Sequence, residues 1–303
     1  MTDAPRHLFA ELRETGHLAR LAAWRATVEM YESEDFTFAA SIGYYVLLSL
    51  FPILLIIISI LGSVAATDAN RLAVMRFALT YFPRQFDFII TQLDAFRQTP
   101  IRLGVGGGLA LVWASLGVFN AISAAVNHAW GVEKKRNFWQ HRLLSFMMLA
   151  FAGLLLMTAL LLATAVQVAE ARWFAAYNWN SPQLTMLRGM SVRYLTFLLP
   201  AFFFGLIYYF VPNVTGVLVK DVWLGAVITG LLWDGGLKGF SWFVRDTGRW
   251  TYIHGNIATV VVFLLWIYVS AIILLWGVEF TAAYAMMRRD IRVAGTGARA
   301  KIP

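Results

Sequence analysis

Five long stretches of the chain contain no Asp, Glu, Lys or Arg: residues 36–67, 103–132, 143–169, 194–219 and 250–278. A helix needs about 20 mostly apolar residues to cross the hydrocarbon layer of a bilayer, and each of these stretches exceeds that length. A sixth segment, 222–244, is apolar from Val222 to Trp233, is interrupted by Asp234 and Lys238, and resumes at Gly239. It reaches membrane length only with two ionisable groups inside it. Five crossings would leave the two termini on opposite sides, so the pattern is read as six. None of the runs alternates apolar and polar residues as the strands of an outer-membrane barrel do. The expected architecture is therefore all-α, a polytopic membrane protein with six transmembrane helices at about 36–67, 103–132, 143–169, 194–219, 222–244 and 250–279.

The flanking segments have patterns of their own. In residues 1–35 Leu8, Leu12, Leu18, Leu21, Trp24 and Val28 recur at helical spacing among Arg13, Arg20 and Arg25, which predicts an amphipathic cytoplasmic helix lying along the membrane. No continuous apolar core of the secretory-signal kind appears there. The segment from Asp68 to Arg102 carries two apolar groupings split by Pro83, and predicts a helical cap between the first two spans. Residues 36–284 then form the membrane domain, and 285–303 a basic cytoplasmic tail. Pro52, Pro200 and Pro212 should kink their helices or sit at helix ends, because proline lacks the amide that continues the ladder.

Composition agrees with a lipid solvent: 59% of residues are hydrophobic and 14% charged, against roughly 25% charged in soluble domains. With no cysteine, disulfides, thiolate metal sites and cysteine nucleophiles are excluded. The net charge is +8. With the N-terminus inside, 14 Lys and Arg fall on the cytoplasmic side and 10 on the other. Four of the former crowd into the turn from Lys134 to Arg142. Weighted toward short loops, this places both termini in the cytoplasm. Trp130, Trp139, Trp223, Trp242 and Trp250 fall near span ends, as an aromatic belt does.

The stretch from Ala39 to Pro52, which includes Gly43, Tyr44, Tyr45 and Ser49, resembles the opening signature of the BrkB/YihY family of bacterial inner-membrane proteins. The resemblance continues through Asn127-His128-Ala129-Trp130, Tyr208 to Asn213, Lys238-Gly239-Phe240 and Gly277-Val278-Glu279, and covers about Phe36 to Tyr284. It implies six spans in the cytoplasmic membrane with both termini inside. Members have been linked to virulence and serum resistance, were once labelled a tRNA-processing ribonuclease, and are now discussed as transporters of lipids or related envelope molecules. Two departures stand out. His254 occupies a position where the family usually has tyrosine, and Gly277-Val278-Glu279 replaces the commoner Gly-Ala-Glu.

Ionisable groups inside a span are costly and usually face a bundle interior or a water-filled cavity. Asp234 and Lys238, four residues apart, share one helix face and are read as a contact for an anion or headgroup; a structural pair is the competing role. Glu279, near the inner end of the last span, could accept a proton or simply be solvated. Tyr44, Tyr45, Ser49, Asn127, Asn213 and His254 are candidates for the polar lining of the same seam, against the commoner role of gluing helices together. Pro52 and Pro212 fall in corresponding helices of two three-span halves and are read as hinges of an inverted repeat.

Catalytic readings fare worse. The five histidines are scattered without H-E-x-x-H, and the glycines from Gly104 to Gly108 lack the Lys-Ser or Lys-Thr of a phosphate loop. No catalytic residue, metal, cofactor or nucleic-acid partner is expected. The expected function is transport of a lipid or other amphipathic envelope molecule, with membrane lipids as partners and homo-oligomerisation open. The alternatives are a non-catalytic scaffold for envelope machinery and, further off, the ribonuclease.

Overall fold

A computed structural model describes residues 4–64, 105–132, 137–169, 198–214, 217–246 and 251–299. Among these residues the structure is helical with no strand: α1 (Ala4–Glu32), α2 (Asp35–Val64), α3 (Val105–Ala129), α4 (Phe138–Ala169), α5 (Leu198–Phe210), α6 (Val219–Asp246) and α7 (Thr251–Arg299). The expected cap at 68–102 and the basic turn at 133–136 lie outside the described residues. Among the described residues one helical segment, Val260–Ile291, is long and apolar enough to cross a membrane.

The breaks follow local chemistry. α1 gives way to α2 across Ser33 and Glu34, where the Glu34 carbonyl accepts the amides of Thr37 and Phe38 at 2.9 and 3.0 Å. α3 closes in a Schellman motif: the Val132 amide donates to Asn127 at 2.9 Å and the Gly131 amide to His128 at 2.8 Å. Gly131 sits at φ 63°, a conformation that side chains with a Cβ resist. α5 stops at Phe210, two residues before Pro212, since proline disfavours helix in the residue ahead of it. Pro212 is therefore buried in the connection beyond the helix rather than breaking it. Pro52 lies within α2, which continues through it as helix, and Pro200 lies within the described part of α5.

From α2 to α7 the helices run alternately up and down, so the start of α2, the end of α3, the starts of α4 and α6, the end of α5 and the distal part of α7 gather at one end, while α1 runs along α7 in the same sense as α2. Side chains fasten that end. The Asn213 amide donates to Asn127 Oδ1 at 2.8 Å, and Arg288 on α7 donates to Asp221 on α6 at 2.9 Å and to the Lys220 carbonyl at 3.2 Å. The main core joins Ile42, Val126, Phe204, Tyr208, Leu275 and Val278. Toward the other end Phe240, Phe263 and Trp266 pack together.

α1 docks differently from its predicted stripe. Ala22 and Ala26 are fully buried against Phe280, Ala283 and Tyr284 of α7, and Trp276 Nε1 donates to Thr27 Oγ1 at 3.1 Å. Leu21 is exposed and Trp24 is 72% exposed. Small side chains let the two helix backbones approach; of the large apolar ones Leu18 packs beside them and Met30 enters the main core, while Leu21 and Trp24 are left outside. α7 continues as helix through the segment predicted as a tail, to Arg299.

Candidate functional site

Asp234 and Lys238 lie one turn apart on α6, and Lys238 Nζ donates to Asp234 Oδ2. The Lys238 side chain is 64% exposed and that of Asp234 31%. Gly235 and Gly239 flank the pair with no atom within 4 Å of where a Cβ would stand, so this strip of helix has a flat, open face. The preceding residue turns elsewhere: Trp233 lines a cavity of about 300 Å³ with Val46 of α2, Phe203 and Phe204 of α5, and Ser270 and Leu274 of α7. An edge-on aromatic chain backs it, with ring centroids 5.6 Å apart for Phe204 and Trp233 and 5.3 Å for Trp233 and Trp266. The same helix thus gives Trp233 to the apolar recess and, from the next residue on, carries the charged pair on another face.

Glu279 is held away from that pair. Contacts between α6 and α7 set Gly225 opposite Thr281 and Thr229 opposite Gly277, which puts Asp234 about 10 Å farther along the bundle than Glu279 at roughly 1.5 Å per residue. Glu279 is 7% exposed and its carboxyl lies against that of Asp35, which is 1% exposed. Both Asp35 oxygens are buried without a bonded donor, as is Ser33 Oγ; Ser33 and Glu279 come close enough to act on the Asp35 charge without closing a well-formed bond. Burial pushes the Asp35 carboxyl above its ordinary range, opposed by Ser33, His128 and Glu279, with Glu29 adding to the rise. Asp35 escaped the sequence reading because it stands one residue before a charge-free run and looks like a solvated helix start. The signal available was an acid at the mouth of a run followed, in another span, by a second acid.

The remaining candidates divide. Ser49 is buried, and Tyr44 and Tyr45 are exposed on α2 with their rings edge to face at 5.6 Å. Asn127 bridges the ends of α3 and α5: its Nδ2 donates to the Ser123 carbonyl at 2.7 Å while Oδ1 accepts from Asn213. These two asparagines join each other rather than the Asp234–Lys238 pair. His254 lies on α7, its side chain outside the described residues. Among the described residues no three His, Asp or Glu side chains gather as a metal site.

A buried hydroxyl knot ties α5, α6 and α7 together. Tyr208, fully buried, donates to the Leu274 carbonyl at 2.9 Å and lies 3.1 Å from Thr229 Oγ1, which bonds the Gly225 carbonyl at 2.8 Å. Gly277 leaves the space these hydroxyls occupy, since a Cβ there would overlap both.

A family model described as virulence factor BrkB matches residues 27–302. Similar proteins include a UPF0761 membrane protein of Alkalilimnicola ehrlichii, 28% identical over 264 residues, covering 86% of this chain and 57% of the relative. Another from Ralstonia nicotianae is 27% identical over 253 residues, 83% of this chain and 56% of the relative. That of Cronobacter sakazakii is 26% identical over 280 residues, 91% of this chain and 92% of its own. The chain thus spans a little over half the length of the first two and nearly all of the third. No solved structure matches.

Proposed function

The chain belongs to the virulence factor BrkB family, a family of membrane proteins by the names its relatives carry, and from that premise we propose that it carries an amphipathic envelope molecule across the bacterial inner membrane. In this reading the chain crosses six times with both termini in the cytoplasm. The end that gathers Lys220, Arg288 and Arg289 is then the inner one. Exposed Trp223 and Trp242 stand about 28 Å apart along α6 at roughly 1.5 Å per residue, which supports a hydrocarbon layer of about 30 Å between them.

The observation that carries the proposal is the exposed Asp234–Lys238 pair between those tryptophans, beside the apolar cavity walled by Trp233. A charged pair at that depth is too costly to face acyl chains, so the exposed face calls for water or a polar ligand group. An amphipathic molecule satisfies both surfaces, its apolar chain in the recess and its headgroup at Lys238. With no nucleotide motif in the sequence, movement is driven by an ion gradient, the membrane potential or the ligand's own gradient.

The test is flux of a fluorescent phospholipid across vesicles containing the purified protein. Lys238→Ala and Asp234→Ala, inserted normally, are expected to lose it, and full flux in both refutes the assignment. A second reading, in which another copy covers this face in a scaffold, is favoured by the open Gly235 and Gly239, since small residues four apart let membrane helices meet closely. Oxidation of Gly235→Cys separates the two: an efficient disulfide-linked dimer would replace the groove with an interface.

A further inference from the structure

We propose that Asp35 and Glu279 form a proton-binding site, a carboxyl pair that shares one proton between α2 and α7 and supplies the coupling ion for the carrier proposed above. The coupling role rests on the carrier reading; the proton site does not.

Two buried acids from different helices meet here: Asp35 opens α2, and Glu279 lies in the distal part of α7. Neither Asp35 oxygen has a bonded donor, and the nearby Ser33 hydroxyl is equally unsatisfied. A buried polar group without a partner costs free energy, and a buried unpaired charge costs far more. Adjacent carboxylates also cannot both remain ionised, because each destabilises the other's charge. One proton relieves both penalties at once: the acid bearing it donates an O–H to the other carboxylate, and the pair carries a single negative charge.

The surroundings suit a proton better than a metal. α1 contributes Arg25 and Glu29, which pair with each other at 3.4 Å, and α3 contributes His128; Glu29 acts electrostatically on both acids, Arg25 on Glu279 and His128 on Asp35. The described residues also hold no group of three His, Asp or Glu ligands for it.

Position gives the pair leverage. α2 and α7 both line the apolar cavity, through Ile42 and Val46 on one side and Ile267, Ser270 and Leu274 on the other. When the shared proton leaves to water at the charged end, both carboxyls become ionised and repel across the α2–α7 contact. The two cavity walls are then pushed apart from the end they share. Rebinding draws them together.

Infrared difference spectroscopy of the purified full chain in lipid nanodiscs, titrated with pH, tests the site without any transport assay. The wild type is expected to show the carbonyl stretch of a protonated carboxyl at neutral pH, disappearing on alkalinisation. Asp35→Asn and Glu279→Gln, close in shape to the residues they replace, should each remove or displace that band. Absence of the band at neutral pH, or its persistence unchanged in both variants, overturns the proposal. Its removal by sodium at constant pH also overturns it, by assigning the site to a metal cation. A titrating band in a protein without phospholipid flux supports the proton site and removes the carrier reading. Flux without a titrating band does the reverse.

Discussion

Gly277→Ala adds a single methyl group where α5, α6 and α7 pack closely together. The new Cβ would overlap the Thr229 hydroxyl and the Tyr208 hydroxyl and come within 3.0 Å of Thr229 Cβ. Neither hydroxyl can step aside freely, because Thr229 is bonded to the Gly225 carbonyl and Tyr208 to Leu274. Overpacking of this kind costs about 1 to 3 kcal/mol, and displacing Tyr208 from its carbonyl leaves a buried group unsatisfied at about 1 to 3 kcal/mol more. Alanine returns up to about 1 kcal/mol of helix propensity. The net expectation is a loss of about 1 to 5 kcal/mol, read as a lowered midpoint of thermal unfolding in detergent. Gly153→Ala is the control, since nothing lies within 4 Å of its Cβ position, and it should be neutral or slightly stabilising. Tyr208→Phe combined with Thr229→Ala should recover part of the Gly277→Ala loss by removing the atoms it strikes. A Gly277→Ala protein as stable as Gly153→Ala would refute the assignment of this crossing as a close-packed knot.

Other expectations follow from the same interior. Arg288→Ala leaves the buried Asp221 carboxylate without its charged donor and should cost about 1 to 3 kcal/mol in the same unfolding assay, with Arg288→Lys costing less. Asn127→Ala strips the Asn213 amide of its acceptor and should cost about 1 to 3 kcal/mol; Asn127→Asp, which keeps an acceptor oxygen, should cost less. Because burial holds the proton of Asp35 more tightly in the folded than in the unfolded chain, this residue's contribution favours folding below its unfolded titration range. That contribution is lost as pH rises through the folded titration range. Asp35→Asn should therefore flatten the fall of the unfolding midpoint toward alkaline pH, and an unchanged slope would remove the residue from that dependence. Single cysteines at Glu34, Asn137 and Arg289, all exposed, should react with a membrane-impermeant thiol reagent only after cells are opened; labelling of any of them in intact cells would reverse or break the six-span topology.

What the sequence made legible were properties set by local composition. Charge-free runs marked helices α2, α3, α4 and α7, and the i, i+4 spacing of Asp234 and Lys238 anticipated their pairing. Long-range meetings were less visible. The alanine face of α1 was hidden behind a more conspicuous stripe of large residues, because docking on α7 depends on close backbone approach rather than on apolar bulk. Glu279 stood out as an acid at the end of a span, but its counterpart Asp35 is 244 positions away in the chain, and only the antiparallel packing of α2 on α7 brings them together. Tyr208, Thr229 and Gly277 form one knot from three helices, and no spacing within any one of them announces it. Pro212 shows the limit of a rule that permits two outcomes: proline can kink a helix or follow its end, and tertiary context decided for the second.

On the proposed function, the exposed strip of α6 around Lys238 borders a hydrated, ligand-receiving groove rather than acyl chains. Since the chain has no native cysteine, Lys238→Cys can be compared directly with Leu154→Cys, an exposed apolar position on α4, for reaction with a water-soluble thiol reagent in native membranes. Rapid modification is expected at position 238, slowed by a bound amphipathic ligand, and none at position 154. Equal inertness of the two cysteines would contradict it.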